Sequence, residues 1–150
     1  MAYTIDTPGL SEVIAKMQAY PARLNANLEA LMNVINLTLW ETVSPYPQPP
    51  ENSTYTRTHL LAKSLGVSGD GEKLGSQPDI YDVKQIGGGW ESHFGSNLDY
   101  APYVIDEGSQ AQVHQGRWWT IQQVAEKAMT TINRRVQIMI DSITNWLNND

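Results

Sequence analysis

A helical repeat of apolar residues near the C-terminus constrains the fold of this chain more than any other feature. From residue 121 to residue 147 apolar side chains recur mainly at every third or fourth position, which places them on one face of an amphipathic helix. They are Ile121, Val124, Ala128, Ile132, Val136, Met139, Ile140, Ile143 and Leu147. At 1.5 Å per residue, this helix would span on the order of 40 Å.

A second helical stripe lies in the first third of the chain. Between residue 10 and about residue 44, apolar residues spaced by three and four positions predict another long amphipathic helix. They include Leu24, Leu28, Leu31, Met32, Ile35 and Leu39. Ser11 has the side chain of an N-cap, and Pro21 predicts a kink or a division after Tyr20. We therefore expect a short helix joined to a longer one.

Four prolines in residues 44–50, which we call the proline strap, must end this helix. They favour an extended, polyproline-like backbone, so we expect a rigid spacer or an arm that faces a partner. Beyond the strap, Thr58 is the expected cap of a short helix that carries Leu60, Leu61 and Leu65. Gly66 is well placed to end that helix.

The middle of the chain predicts a loop followed by a hairpin. Residues 69–76 are rich in turn formers and have no periodicity, which indicates a mobile loop. Residues 80–86 then alternate in character, and glycines at 87–89 lead into a second strand candidate at residues 90–94. Glycine supplies the positive φ that a tight reversal requires.

Taken together, these elements predict an α+β fold. We expect long N-terminal and C-terminal helices to pack across a small antiparallel β-sheet between them. A chain of 150 residues is about the size of one domain, so we expect a single domain over residues 1–150.

Composition excludes several classes of function. The chain has no cysteine, which rules out disulfides, thiolate metal sites and thiol catalysis. Its net charge of −6 disfavours tight, sequence-independent DNA binding, which needs several cations against the phosphates. No signal-peptide pattern and no run of about 18 apolar residues is present, so we expect a soluble protein with no membrane partner.

The acidic and histidine residues offer only a weak case for catalysis. The histidines, His59, His93 and His114, lack metal-ligand spacing. Asp99 and Asp106 are seven residues apart and would share a face of a helix, with Glu107 beside them. A small metal-dependent hydrolase or nuclease built on these acids and one histidine is the alternative function. A solvated acidic face is the interpretation we favour.

Tryptophan is the other conspicuous residue type. Trp118 and Trp119 follow Arg117 and precede the C-terminal stripe. They could form a stacking platform for single-stranded nucleic acid, but the basic groove that such a platform needs is absent. We expect them to anchor the start of the helix or to fill a subunit contact, and Trp146 is a further interface candidate.

Two short sequence motifs accompany these predicted elements. After the proline strap, Thr58 and residues 60–64 follow the pattern Thr-Gly, then Leu-Arg-x-Ser, with His59 in place of the glycine and Ala62-Lys63 altering the basic position. The more specific motif is Tyr-Ala-x-Tyr-Val followed by an acid and Gly, with one extra residue before the acid. It is matched by Tyr100, Ala101, Tyr103, Val104, Glu107 and Gly108.

From about residue 24 to the end, this arrangement resembles the small neck and tail-completion proteins of lambdoid long-tailed bacteriophages. The resemblance implies a non-enzymatic virion protein without cofactors, made in the host cytoplasm and located in the neck or tail. It implies self-assembly into a ring between head-closure or connector proteins and the tail tube, with DNA passing through without tight binding. The assembly or interface candidates are Arg57, Tyr100, Tyr103, Glu107, Trp118 and Trp119.

The acidity is unevenly distributed along the chain. Residues 1–56 carry a net charge of −3, residues 57–116 carry −4, and residues 117–150 carry +1. In such a ring, we expect the surface that faces the DNA path to come from the N-terminal helix or the central β region.

Overall fold

The computed structural model describes residues 21–49, 51–54, 58–69 and 72–149. Within these ranges the chain forms four helices and two strands: α1 (Pro21–Thr42), α2 (Leu60–Ser64), β1 (Ile80–Ile86), β2 (Gly89–Gly95), α3 (Ala101–Ile105) and α4 (Ile121–Asn149). Two long helices and a two-stranded antiparallel sheet make the fold α+β, as predicted. The expected Ser11 cap and the short helix ending at Tyr20 lie outside the described residues.

Most residues of both apolar stripes are buried. All six residues predicted from the N-terminal stripe belong to the core, and α4 contributes Ile121, Val124, Ala128, Ile132, Val136 and Ile143. Most of these side chains form one cluster. Leu24, Leu28 and Ile143 form a smaller cluster, where the start of α1 lies beside the end of α4. Helical periodicity therefore predicted correctly which faces turn inward.

The sheet does not separate the two long helices. α1 packs directly on α4, and the hairpin lies against α1. The expected packing of the helices across the sheet is therefore wrong. The physical reason is that β1 and β2 have only seven residues each and β1 exposes its last three, so the sheet offers too little apolar surface to cover either helix.

The hairpin has the predicted turn. Gly87 and Gly88 link the strands with φ of +56° and +85°, and Ile86 pairs with Gly89 at the end of the ladder. Two consecutive residues with positive φ match the strand twist of a two-residue hairpin, which is why glycine is found here.

A buried asparagine joins the hairpin to α1. The Asn36 side chain is fully buried, and its amide nitrogen donates a hydrogen bond to the backbone oxygen of Asp82 on β1 at 3.2 Å. The Ser92 hydroxyl on β2 donates to the Asn36 amide oxygen. One buried polar side chain of α1 therefore binds both strands.

Gly66 ends α2 as predicted, with φ of +70°. The Trp40 indole N–H of α1 donates to its carbonyl oxygen at 3.1 Å. A β-carbon at this position would lie 2.8 Å from the Ser76 backbone oxygen and 3.0 Å from the Pro78 nitrogen. Gly66 is therefore required both by its backbone conformation and by the close approach of the following segment.

The start of α4 has a reciprocal cap. The Thr120 hydroxyl accepts from the Gln123 backbone N–H at 3.2 Å, and the Gln123 side chain accepts from the Thr120 N–H at 3.0 Å. This is a capping box, which satisfies two backbone donors at the first turn.

The proline strap is extended, but it is held by the rest of the chain. Tyr46 is buried, and its backbone N–H donates to the Gly69 carbonyl at 3.0 Å. The Trp119 indole donates to the Pro45 oxygen at 3.2 Å, and Arg117 donates to the Gln48 oxygen at 2.9 Å. Of the two expectations, these contacts favour the rigid spacer, because the Pro45 and Gln48 carbonyl groups have partners within the chain.

Candidate functional site

An open groove of about 360 Å³ lies where the proline strap, α2, α3 and the segment before α4 meet. We call it the aromatic groove. Its lining residues are Tyr46, Thr58, His59, Leu60, Leu61, Tyr100, Tyr103, Val104, His114 and Trp118. Its volume falls within the range of roughly 300–1,000 Å³ that is usual for binding pockets.

The floor of the groove is a set of packed rings. The Tyr46 ring meets the Trp118 ring edge to face with centroids 4.7 Å apart, and it stacks on the His59 ring at 6.2 Å. The His114 ring also meets the Trp118 ring edge to face, with centroids 5.8 Å apart. Such ring pairs add to the stability that burial alone provides, so the floor is preformed.

The rim, in contrast, displays large apolar side chains to solvent. Leu60 is 49% exposed, Tyr100 is 42% exposed and Tyr103 is 61% exposed. A cluster of exposed apolar residues beside a groove is typical of a surface that binds another molecule. The groove is therefore the strongest candidate for a functional site in the described residues.

The wall formed by α3 is fixed from two directions. Gln110 folds back to donate to the Val104 and Trp118 backbone oxygens at 2.7 and 3.2 Å. Gln122 of α4 donates to the Asp106 carboxylate at 2.7 Å and accepts from the Glu107 backbone N–H at 3.1 Å. The exposed tyrosines therefore stand on a rigid support.

His59 occupies an uncommon backbone conformation. It precedes α2 with φ of +55°, in the left-handed region that favours glycine, and makes no side-chain cap of the helix. The expected Thr58 cap is therefore wrong, because His59 is the residue at the cap position. The left-handed conformation also gives a physical reason for glycine at this point in the motif that the sequence resembles.

This conformation leads to a prediction on stability. His59→Gly and His59→Ala both remove the ring, but only alanine keeps a β-carbon that opposes positive φ. We expect the glycine variant to be more stable by about 1 kcal/mol, the reverse of the usual preference for alanine near a helix. Urea unfolding followed by tryptophan fluorescence measures the difference. Equal stability of the two variants would show that the left-handed backbone carries no cost here.

The structure places the candidate residues from the sequence in four different settings. Tyr100, Tyr103 and Trp118 line the aromatic groove. Trp119 lies outside the lining of the groove, and its indole N–H donates a hydrogen bond to the Pro45 carbonyl of the strap. Glu107 follows α3 and is exposed. Arg57 lies outside the described residues.

Trp146, the further interface candidate, packs within the chain. The Arg23 guanidinium lies over its ring at 3.9 Å from the centroid, near the start of α1. The contact is a cation–π interaction between the two long helices.

The acidic residues do not share a helix face. Asp99 precedes α3 and Asp106 follows it, because that helix has only five residues. The expectation of two carboxylates on one helical face is therefore wrong. In the described part of the chain, no three histidine, aspartate or glutamate side chains are arranged to hold a metal ion.

Comparison with family models, curated proteins and solved structures gives no match. The aromatic groove is thus interpreted from its own residues and geometry. Among the described helices, none has both the length and the apolar character that crossing a bilayer demands.

A cluster of polar side chains, which the sequence did not indicate, lies on the outer face of the hairpin. The two ring nitrogens of His93 lie 3.3 Å from Asp82 and 3.1 Å from Glu91. The hydrogen bond from Lys84 holds the pKa of the Asp82 carboxyl below its ordinary value. These side chains are partly exposed, from 26% for His93 to 56% for Lys84, and ion pairs in contact with solvent contribute little to stability, so we regard the cluster as a solvated face.

Proposed function

We propose that this protein is a structural component of a tailed-bacteriophage virion, a ring-forming protein of the neck or of tail completion that connects the head connector to the tail tube. The observation that carries the proposal is the exposed apolar rim around a preformed aromatic groove. Such a surface suits a partner protein, because apolar residues that stay in water in the monomer become buried on assembly.

The motif that carries the family resemblance supports the same interpretation. Its Ala101 and Val104 are buried and hold α3 in the core, whereas Tyr100 and Tyr103 are exposed at the groove. The pattern Tyr-Ala-x-Tyr-Val thus alternates residues that fix the helix with residues that face outward. A motif of this kind specifies a contact surface without supplying any catalytic group.

The charge of the chain suits a ring through which DNA moves. Its net charge of −6 repels phosphates, so the ring would let the genome pass without tight binding. We assign no cofactor to the protein and place it in the virion neck or tail, after assembly in the host cytoplasm.

Electron microscopy and metal titration together test this function. We expect concentrated protein, alone or with the connector proteins of its phage, to form closed rings with a central opening. We expect no thermal stabilisation by magnesium, manganese or zinc. A clear stabilisation by one of these ions that disappears in Asp106→Asn would support the metal-dependent hydrolase or nuclease instead.

A substitution at the rim separates assembly from folding. Tyr103 is exposed, so Tyr103→Ala should change the free energy of unfolding by no more than about 0.5 kcal/mol. We expect it to weaken assembly about tenfold or more, because aromatic anchors dominate binding at interfaces. Sedimentation velocity and urea unfolding measure the two effects. Ile86→Ala, which truncates an exposed apolar residue at the hairpin end, is the matched control. Unchanged assembly of the Tyr103 variant would contradict the role of the groove.

A further inference from the structure

A second apolar surface lies on the outside of the helix pair. It is a groove of about 520 Å³ between α1 and α4, lined by Val34, Leu37, Ile138 and Met139 among others. Ile138 is 62% exposed, which is unusual for a large aliphatic side chain on a helix whose other apolar residues are mostly buried. We call these four residues together with Arg134 the α4 patch.

The α4 patch has a basic edge. Arg134 is exposed and lies four residues before Ile138, so the two side chains share a face of α4. Within the described ranges Arg134 forms no ion pair, whereas its neighbour Arg135 is paired with Glu41 at 3.5 Å. The guanidinium of Arg134 is therefore available to an external carboxylate.

Acidic residues flank the exposed tyrosines of the aromatic groove along the chain, and we call them its acidic edge. Residues 97–108, which supply its two exposed tyrosines, contain three acidic residues and no basic one. Asp99 and Glu107 are exposed and make no ion pair with other residues that the structure describes. An apolar occupant of the groove that brings a positive charge to its edge would therefore be favoured.

We infer that the occupant is a second copy of this chain, which packs its α4 patch against the aromatic groove with the exposed Ile138 side chain inserted. Ile138 of one copy meets Leu60 and Tyr103 of the next, and Arg134 faces the acidic edge. The inference rests on the proposed ring-forming function and specifies its contact surfaces. Two grooves facing each other would bring acidic edges together, which electrostatic repulsion opposes.

The contact joins two different surfaces of the same molecule, so it is heterologous. Each copy uses its groove toward one neighbour and its α4 patch toward the other. Contacts of this type generate a ring when the rotation between neighbours closes, and otherwise a filament. The aromatic groove and the α4 patch of every copy are then covered without any second protein.

Cysteine cross-linking tests which surfaces meet. The chain has no cysteine, so an engineered thiol is unique. Thr58→Cys at the groove and Ser142→Cys beside the α4 patch are small replacements that leave the proposed anchors intact. Two differently tagged variants, each with one cysteine, are mixed and treated with a short bismaleimide. In the matched control pair, the Ser142→Cys variant is exchanged for Ser76→Cys, which lies on the loop before the hairpin.

We expect the mixed dimer to exceed the control pair about tenfold, because bound neighbours hold their thiols at millimolar effective concentration. The chain that carries both Thr58→Cys and Ser142→Cys should give a ladder of covalent oligomers. Dimers of Thr58→Cys alone that match the mixed dimers in yield would indicate a groove-to-groove contact and overturn the inference. Mixed dimers no more abundant than those of the control pair would also overturn it.

A charge exchange tests the polar edge. Glu107→Arg and Arg134→Glu should each weaken self-association about tenfold, and the two substitutions in one chain should restore it to within about threefold. Glu72→Arg, which reverses a charge outside both surfaces, should have no effect. A double variant weaker than either single variant would contradict the pairing.

The two proposals can fail separately. If closed rings form but the mixed dimers are no more abundant than those of the control pair, the ring-forming function stands and this contact is wrong. If the groove and the α4 patch are cross-linked but no closed rings form, the contact stands and the ring-forming function is wrong.

Discussion

Gly66→Ala is expected to destabilise the protein by about 3 kcal/mol, because two independent costs add at this position. A β-carbon opposes the left-handed backbone by about 1–2 kcal/mol. It would also press against the Ser76 oxygen at 2.8 Å and the Pro78 nitrogen at 3.0 Å, which are backbone atoms that cannot rotate away. Overpacking of this kind costs typically about 1–3 kcal/mol. Urea denaturation followed by tryptophan fluorescence measures the loss.

The hairpin turn supplies the matched control. Gly87 also has positive φ, at +56°, but a β-carbon there meets no atom within 4 Å. Gly87→Ala should therefore show the backbone cost alone, about 1 kcal/mol. The difference between the two variants measures the steric cost at Gly66. If both variants lose the same stability, the close approach of the Ser76 segment to Gly66 is not maintained in solution.

Asn36→Ala is expected to destabilise the protein by about 2–3 kcal/mol. The substitution leaves the Asp82 carbonyl without its side-chain donor and removes one acceptor from Ser92, in a region where Asn36 itself is fully buried. A buried polar group without its partner costs about 1–3 kcal/mol. The truncated side chain also leaves a space between α1 and the hairpin.

Asn33→Ala is the control on the same helix. Asn33 is exposed and its amide binds only the Glu29 carbonyl one turn earlier, so alanine should be neutral or slightly stabilising. Thermal and urea unfolding of both variants give the comparison. Hydrogen exchange should show faster opening of β1 and β2 in the Asn36 variant alone. Unchanged exchange in the hairpin would indicate that the apolar contacts with α1 suffice to hold it.

The elements of the fold could be predicted from the sequence, whereas their arrangement could not. Periodicity identifies the residues of a helix that turn inward, such as Leu31 and Ile132, but not the element they will contact. The hairpin was identified because alternation and consecutive glycines are local signals. Asn36 lies among the apolar residues of α1 and binds two strands that are about 50 residues away in sequence. No local sequence pattern indicates that the strands will contact this side chain.

The candidate site was predicted in part. Tyr100 and Tyr103 belong to one motif and Trp118 to a conspicuous pair, so their residue types drew attention to them. Tyr46 and Leu60 were not assigned to the site, because the groove is assembled from segments far apart in the chain. Only the tertiary structure decides that Tyr46 is buried in the floor while Leu60 is exposed at the rim.

The packing of Tyr46 against Trp118 determines when the aromatic groove forms during synthesis of the chain. One ring follows α1, the other precedes α4, and the stretch between them contains every other lining residue of the groove. A nascent chain therefore displays no groove until the ribosome has passed Trp118 and that residue has left the exit tunnel. Unfinished chains on one messenger lack the groove, so the self-association that we propose would be deferred to molecules whose helix pair is being completed.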